Sequence, residues 1–78
     1  MICKGDRILV GNFAILVTNE HEMDAKPYLI CNIYLVLSGR YRSSYEKLDT
    51  ITIGVQEFEK LRKDRNIDML NALMNKSA

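Results

Sequence analysis

The sequence has one proline and two cysteines among its 78 residues, and each shortage closes off a class of protein. Cys3 and Cys31 are too few for the disulfide framework of small secreted domains, and neither lies in a Cys-x-x-Cys motif or a Cys/His cluster. Four glycines and a single proline speak against a disordered chain. An excess of one charge is missing as well: eleven Lys and Arg face ten Asp and Glu, leaving +1. General nucleic-acid binders draw affinity from phosphate contacts and carry a basic stripe. Here only Tyr28–Lys47 departs from balance, with Arg40, Arg42 and Lys47 against Glu46. The longest apolar stretches, Ile8–Val17 (interrupted by Gly11-Asn12) and Leu29–Leu37, fall far short of the roughly 20 residues of a membrane helix. The opening residues Met1-Ile2-Cys3-Lys4 lack the layout of a signal peptide. The expectation is a cytoplasmic protein with two free thiols and no membrane association.

What is present is a dense apolar fraction, 47% of residues, with 27% charged. That composition folds, and the length fits one domain, 1–78. Arg7–Val17 is rich in Ile, Leu, Val and Phe and reads as strand. Its central Gly11-Asn12 fits either a two-residue hairpin turn, which is preferred, or a bulge in one long strand. Thr18–Pro27 is polar, acidic and closed by the proline, and reads as a loop. Tyr28–Arg42 is a strand with period 2: Leu29, Cys31, Ile33, Leu35 and Leu37 share one face. Ser43-Ser44 ends it, and Asp49–Ile53 forms a further strand with Ile51 and Ile53 inward.

Gly54 opens a helix whose first turns carry Gln56, Glu57 and Glu59, placed well for the helix dipole. Val55, Phe58 and Leu61 form its apolar stripe, and continuing that phase would bury Arg62 and Arg65. The helix therefore breaks near Asn66, read as the left-handed terminating residue, with Asp68 capping a second short helix that bears Leu70 and Leu73. The expected fold is α+β: a small antiparallel sheet of three to four strands followed by a C-terminal helical segment, ββββα or βββα.

Catalytic equipment is thin. There is no Gly-rich phosphate loop, no Gly-x-Ser-x-Gly and no pair of carboxylates spaced to meet in a cleft. His21 stands among Glu20, Glu22 and Asp24, but consecutive loop residues do not converge on one ion, so no metal site and no cofactor is expected. Cys31 reads as a small hydrophobe on the strand's apolar face. Lys60, Arg62, Lys63 and Arg65 alternate with Glu59 and Asp64 and read as a solvated helix face. The segment richest in interface chemistry is Arg40-Tyr41-Arg42-Ser43-Ser44-Tyr45-Glu46-Lys47, where guanidinium groups and phenols supply bidentate and flat contacts.

The sheet also has two apolar faces and one helical layer to cover them. Ile30, Tyr34 and Val36 face away from Leu29, Ile33 and Leu35. In the first strand region Ile8, Val10 and Leu16 are expected to alternate against Leu9, Phe13 and Ile15. Either the first hairpin curls back to cover that apolar face or another molecule does, with a homodimer through Ile30, Tyr34 and Val36 the expected form. The leading functional reading is a non-enzymatic protein-binding module. It would act as an intracellular regulator or inhibitor that occupies a partner's surface, a profile shared by small proteins of phages and mobile elements. Arg40, Tyr41, Arg42, Tyr45 and Lys47 are its candidate partner-binding residues. The alternative is a nucleic-acid-binding domain using the same Arg40–Lys47 edge.

Overall fold

The computed structural model describes residues 2–23 and 26–76. In chain order the elements are β1 (Arg7–Val10), β2 (Phe13–Met23), β3 (Lys26–Ser38), β4 (Ser43–Gly54), α1 (Val55–Asp64) and α2 (Ile67–Lys76). The strands form an antiparallel meander in the order β1-β2-β3-β4, and the two helices follow, so the α+β expectation holds in its four-stranded form.

Gly11-Asn12 is the two-residue turn between β1 and β2. Val10 pairs with Phe13, and Gly11 has φ +59° while Asn12 does not enter positive φ, as a type II′ turn requires. This turn resets the side-chain parity. Facing residues combine one odd and one even number (Ile8 with Ile15, Leu9 with Ala14, Arg7 with Leu16). Leu16 therefore joins Leu9, and Phe13 and Ile15 join Ile8 and Val10. The sequence-based grouping, which let the alternation run straight through the turn, is corrected on this point.

One face of the sheet carries the core. Ile8, Val10, Ile15, Val17, Leu29, Cys31, Ile33, Ile51 and Ile53 are buried beneath Phe58, Leu61 and Leu70, with Ile2 closing one side. Full burial of each such aliphatic or aromatic side chain contributes about 1.5–3 kcal/mol. Val55, Met69, Leu73 and Met74 pack around the rim. α1 starts at Gly54 and stops at Arg65, whose φ of 49° puts it in the left-handed region while its N–H bonds the Leu61 carbonyl. Asn66 is then the cap of α2: its Oδ1 accepts the N–H of Asp68 at 2.9 Å and of Met69 at 3.4 Å. The break falls where expected, with the terminating role moved by one residue and the capping role by two: Arg65 terminates, Asn66 caps, and Asp68 lies in the first turn.

Strand lengths exceed the expectation. Thr18–Pro27, read as a loop, continues β2 to Met23 and starts β3 at Lys26; Asp24 and Ala25 lie outside the described residues. β3 ends at Ser38 rather than Arg42, and Ser43-Ser44 begins β4 instead of ending a strand. Backbone pairing carries both hairpins beyond the core, where no buried face imposes apolar alternation. Beyond Phe13, which pairs with Leu35, the Val36 N–H still bonds the Asn12 carbonyl at 2.8 Å. The β3–β4 hairpin thus projects past the β1–β2 turn as an arm, on a molecule 46 Å long and 24 by 23 Å across.

Candidate binding surface

The face opposite the helices is assembled by register. β1 supplies Arg7 and Leu9, β2 supplies Ala14 and Leu16, and β3 supplies Ile30, Asn32, Tyr34 and Val36. β4 adds Tyr45 opposite Val36, Lys47 opposite Tyr34, Thr50 opposite Asn32 and Thr52 opposite Ile30. Two irregularities set this arrangement: Thr18 is the extra residue in β2 and Leu48 the extra residue in β4. At the first of these the Thr18 hydroxyl donates to the Ile30 carbonyl at 3.1 Å.

Both residue sets proposed from sequence are placed in relation to this surface. Ile30, Tyr34 and Val36 lie on it, half-buried. Tyr45 and Lys47 lie beside them in β4 rather than in a connecting loop, and Tyr45 is 55% exposed. Arg40, Tyr41 and Arg42 form the tip of the arm, where Tyr41 is 92% exposed and the Arg40 guanidinium sits 5.9 Å from its ring centroid. Gly39 makes this tip possible: its N–H bonds the Arg42 carbonyl at 2.9 Å, and a side chain at Gly39 would collide with that same oxygen.

Leu9, Ala14, Leu16 and Arg7 belong to the surface and were missed from sequence, because only the parity switch at Gly11-Asn12 brings them to this side. Leu9 is 52% exposed. Ala14 floors a hollow of about 230 Å³ walled by Arg7, Leu16, Tyr34 and Tyr45. Its walls are held in place. The Tyr34 and Tyr45 rings meet edge to face, centroids 6.5 Å apart at 83°, a favoured aromatic geometry. Asn32 Nδ2 donates to Tyr34 Oη at 3.1 Å, and Asn32 Oδ1 accepts from the Thr50 hydroxyl at 2.8 Å.

Charge is distributed unevenly between the two sides. Arg7 and Lys47 are the cations of the open face near the hollow. Glu20, Glu46 and Asp49 pair with Leu29, Leu35 and Ile33, whose side chains point toward the helices. Glu57, Glu59, Asp64 and Asp68 belong to α1 and α2, and Asp6 caps the turn before β1 by accepting the Cys3 N–H at 2.8 Å. Among the described side chains, the open face has no carboxylate.

The other singled-out residues lie apart from it or on its far margin. Cys31 is in the core, and burial raises its thiol from 9.0 to about 11, so it is protonated at neutral pH and unsuited to nucleophilic attack. Cys3 is exposed. His21 is exposed in β2 opposite Tyr28, and among the described residues no three His, Cys, Asp or Glu side chains converge as a metal site. Lys60, Arg62, Lys63 and Arg65 are exposed on the helical layer, with Arg62 3.3 Å from Glu59. No helix among the described residues is long and apolar enough to cross a membrane. Comparison with models of protein families, with curated proteins and with solved structures gives no match.

Proposed function

We propose that this chain is a non-enzymatic protein-binding module, a regulator or inhibitor that works by occupying a partner's surface. The contact region is the open sheet face together with the arm that extends it. One observation carries the reading: Leu9, Leu16, Tyr34, Val36 and Tyr45 form an apolar, tyrosine-bearing surface, and among the described residues no element is laid over it. Contiguous apolar patches of this kind mark interaction sites, and tyrosine and arginine concentrate binding energy at them. The five residues Arg40, Tyr41, Arg42, Tyr45 and Lys47 then line the outer part of that contact.

Affinity capture from a lysate of the native host, with and without nuclease, tests this. Leu9→Glu combined with Tyr45→Glu changes two exposed side chains and should remove the captured protein while leaving the circular dichroism spectrum unchanged. Nuclease should not matter. Capture that survives the double substitution overturns the reading, and capture that disappears with nuclease assigns the surface to nucleic acid.

A further inference from the structure

The chemistry of the open face narrows what it receives. We infer that the hollow over Ala14 is an anchor pocket for one aliphatic or aromatic side chain of an acidic protein segment, with Arg7 and Lys47 meeting the carboxylates that flank the anchor. This inference rests on the protein-binding reading above.

The size of the hollow is the first argument. At about 230 Å³ it lies below the roughly 300–1,000 Å³ of pockets that enclose drug-sized ligands, and it suits a single inserted side chain. Its depth has a simple origin. Ala14 is the small residue in a row whose neighbours are Leu9 on β1 and Tyr34 on β3, so the dent is built into the pairing register. Three of its walls, Leu16, Tyr34 and Tyr45, present carbon to the entering group. Asn32 holds the phenol of Tyr34 by a hydrogen bond, so the wall stands before anything binds, which reduces the ordering cost of association.

Charge is the second argument. Arg7 lines the hollow, and Lys47 sits in register with Tyr34. No carboxylate among the described side chains shares the face with them. A second copy of the chain docked face to face would bring more cations and no anions to the contact. A partner segment bearing Asp or Glu beside its anchor supplies the missing sign, and such complementarity selects partners and speeds encounter. Single-stranded nucleic acid also carries negative charge, but its bases stack along a row of open aromatic faces. Here the edge-to-face packing of Tyr34 and Tyr45 occupies one ring face, and Leu9, Leu16 and Val36 surround the pair with aliphatic surface.

The test is a selection from a phage-displayed random peptide library on the full chain, with bound peptides mapped by amide and methyl chemical shifts. Enriched peptides should place an aliphatic or aromatic residue between acidic ones and should shift Ala14, Leu16, Tyr34 and Tyr45. Arg7→Glu with Lys47→Glu, both exposed positions, should weaken those peptides by about tenfold or more and should enrich basic-flanked anchors instead. Ala14→Leu should fill the hollow and abolish binding. If that variant loses its native spectrum, the charge-reversed pair still decides the matter. Peptides that map to this face but are neutral or basic overturn the acidic-segment inference and leave the protein-binding reading standing. Peptides that map elsewhere, or a labelled oligothymidylate that binds this face while no peptide does, overturn both. Concentration-dependent dimerisation in sedimentation with the same shifts replaces the acidic segment by a second copy.

Discussion

Burial at Cys31 acts on stability as well as chemistry. Its thiol is raised from 9.0 in the exposed chain to about 11 in the fold. Between those values the unfolded chain releases a proton that the folded chain keeps, so the unfolded state is favoured as pH rises. The stabilising contribution is present in full below pH 9 and is lost on passing through pH 11. Denaturant titrations across this window should therefore show a steeper loss for the wild type than for Cys31→Ala; equal slopes would refute the link. Thiol reagents at pH 8 should label Cys3 in the folded protein and Cys31 only after unfolding. The strand β3 gives a second comparison at this scale. Ile33 is fully buried, so Ile33→Ala should cost about 2–5 kcal/mol. Leu35, on the same face, is half-buried because it pairs with Phe13 at the end of the helical cover, and Leu35→Ala should cost only about 1–2 kcal/mol.

The junction between α1 and α2 depends on two residues with different duties. Arg65 pays a steric penalty for its left-handed backbone, so Arg65→Gly should stabilise the protein by roughly 1 kcal/mol. Asn66 bonds two of the free N–H groups that open α2, and Asn66→Ala should destabilise by about 1 kcal/mol, lowering Tm by about 4–8 °C. A calorimetric ranking with Arg65→Gly above wild type and Asn66→Ala below it checks both; the reverse order would mean the cap is misassigned. At the other hairpin, Gly39→Ala forces the tip apart because the new methyl meets the Arg42 carbonyl. Its effect should be confined to the amide shifts of the arm. The edge strand β4 is protected from adding a further strand by its charges Glu46, Lys47 and Asp49 and by the bulge at Leu48.

Taken as one body, the molecule is a helix-covered half-sheet continued by an arm with little covering. The core residues cluster between the sheet and the helices, whereas the arm from Leu37 to Ser44 pairs strand to strand within itself. Local opening follows few buried contacts, so amide exchange in the arm should be fast while Ile15, Ile33 and Phe58 exchange only with global unfolding. For the same reason, replacing Arg40, Tyr41, Arg42 and Tyr45 together with alanine should leave the fold intact, since exposed changes move stability by under about 0.5 kcal/mol each. Circular dichroism and Tm read this directly. A collapsed Tm would show that the tyrosine pair supports the sheet rather than serving the surface.

Local periodicity by itself determined the α+β class, the inward face of β3, the inward Ile51 and Ile53 and the apolar stripe of α1. Each of these rests on side chains within one element, where a spacing of 2 or 3.6 residues is written directly into the chain. The two-residue turn was legible too, because Gly-Asn between apolar runs has a defined backbone chemistry. Tertiary structure alone decided the rest. Strand ends in water carry no alternation, so the full reach of β2, β3 and β4 came from backbone pairing. The open face needed more still: Leu9, Ala14 and Leu16 join Tyr34, Val36 and Tyr45 only once three hairpins set their registers, with a turn and two bulges each shifting parity by one residue. One residue of shift exchanges the faces of a strand, and no spacing within a single strand records it.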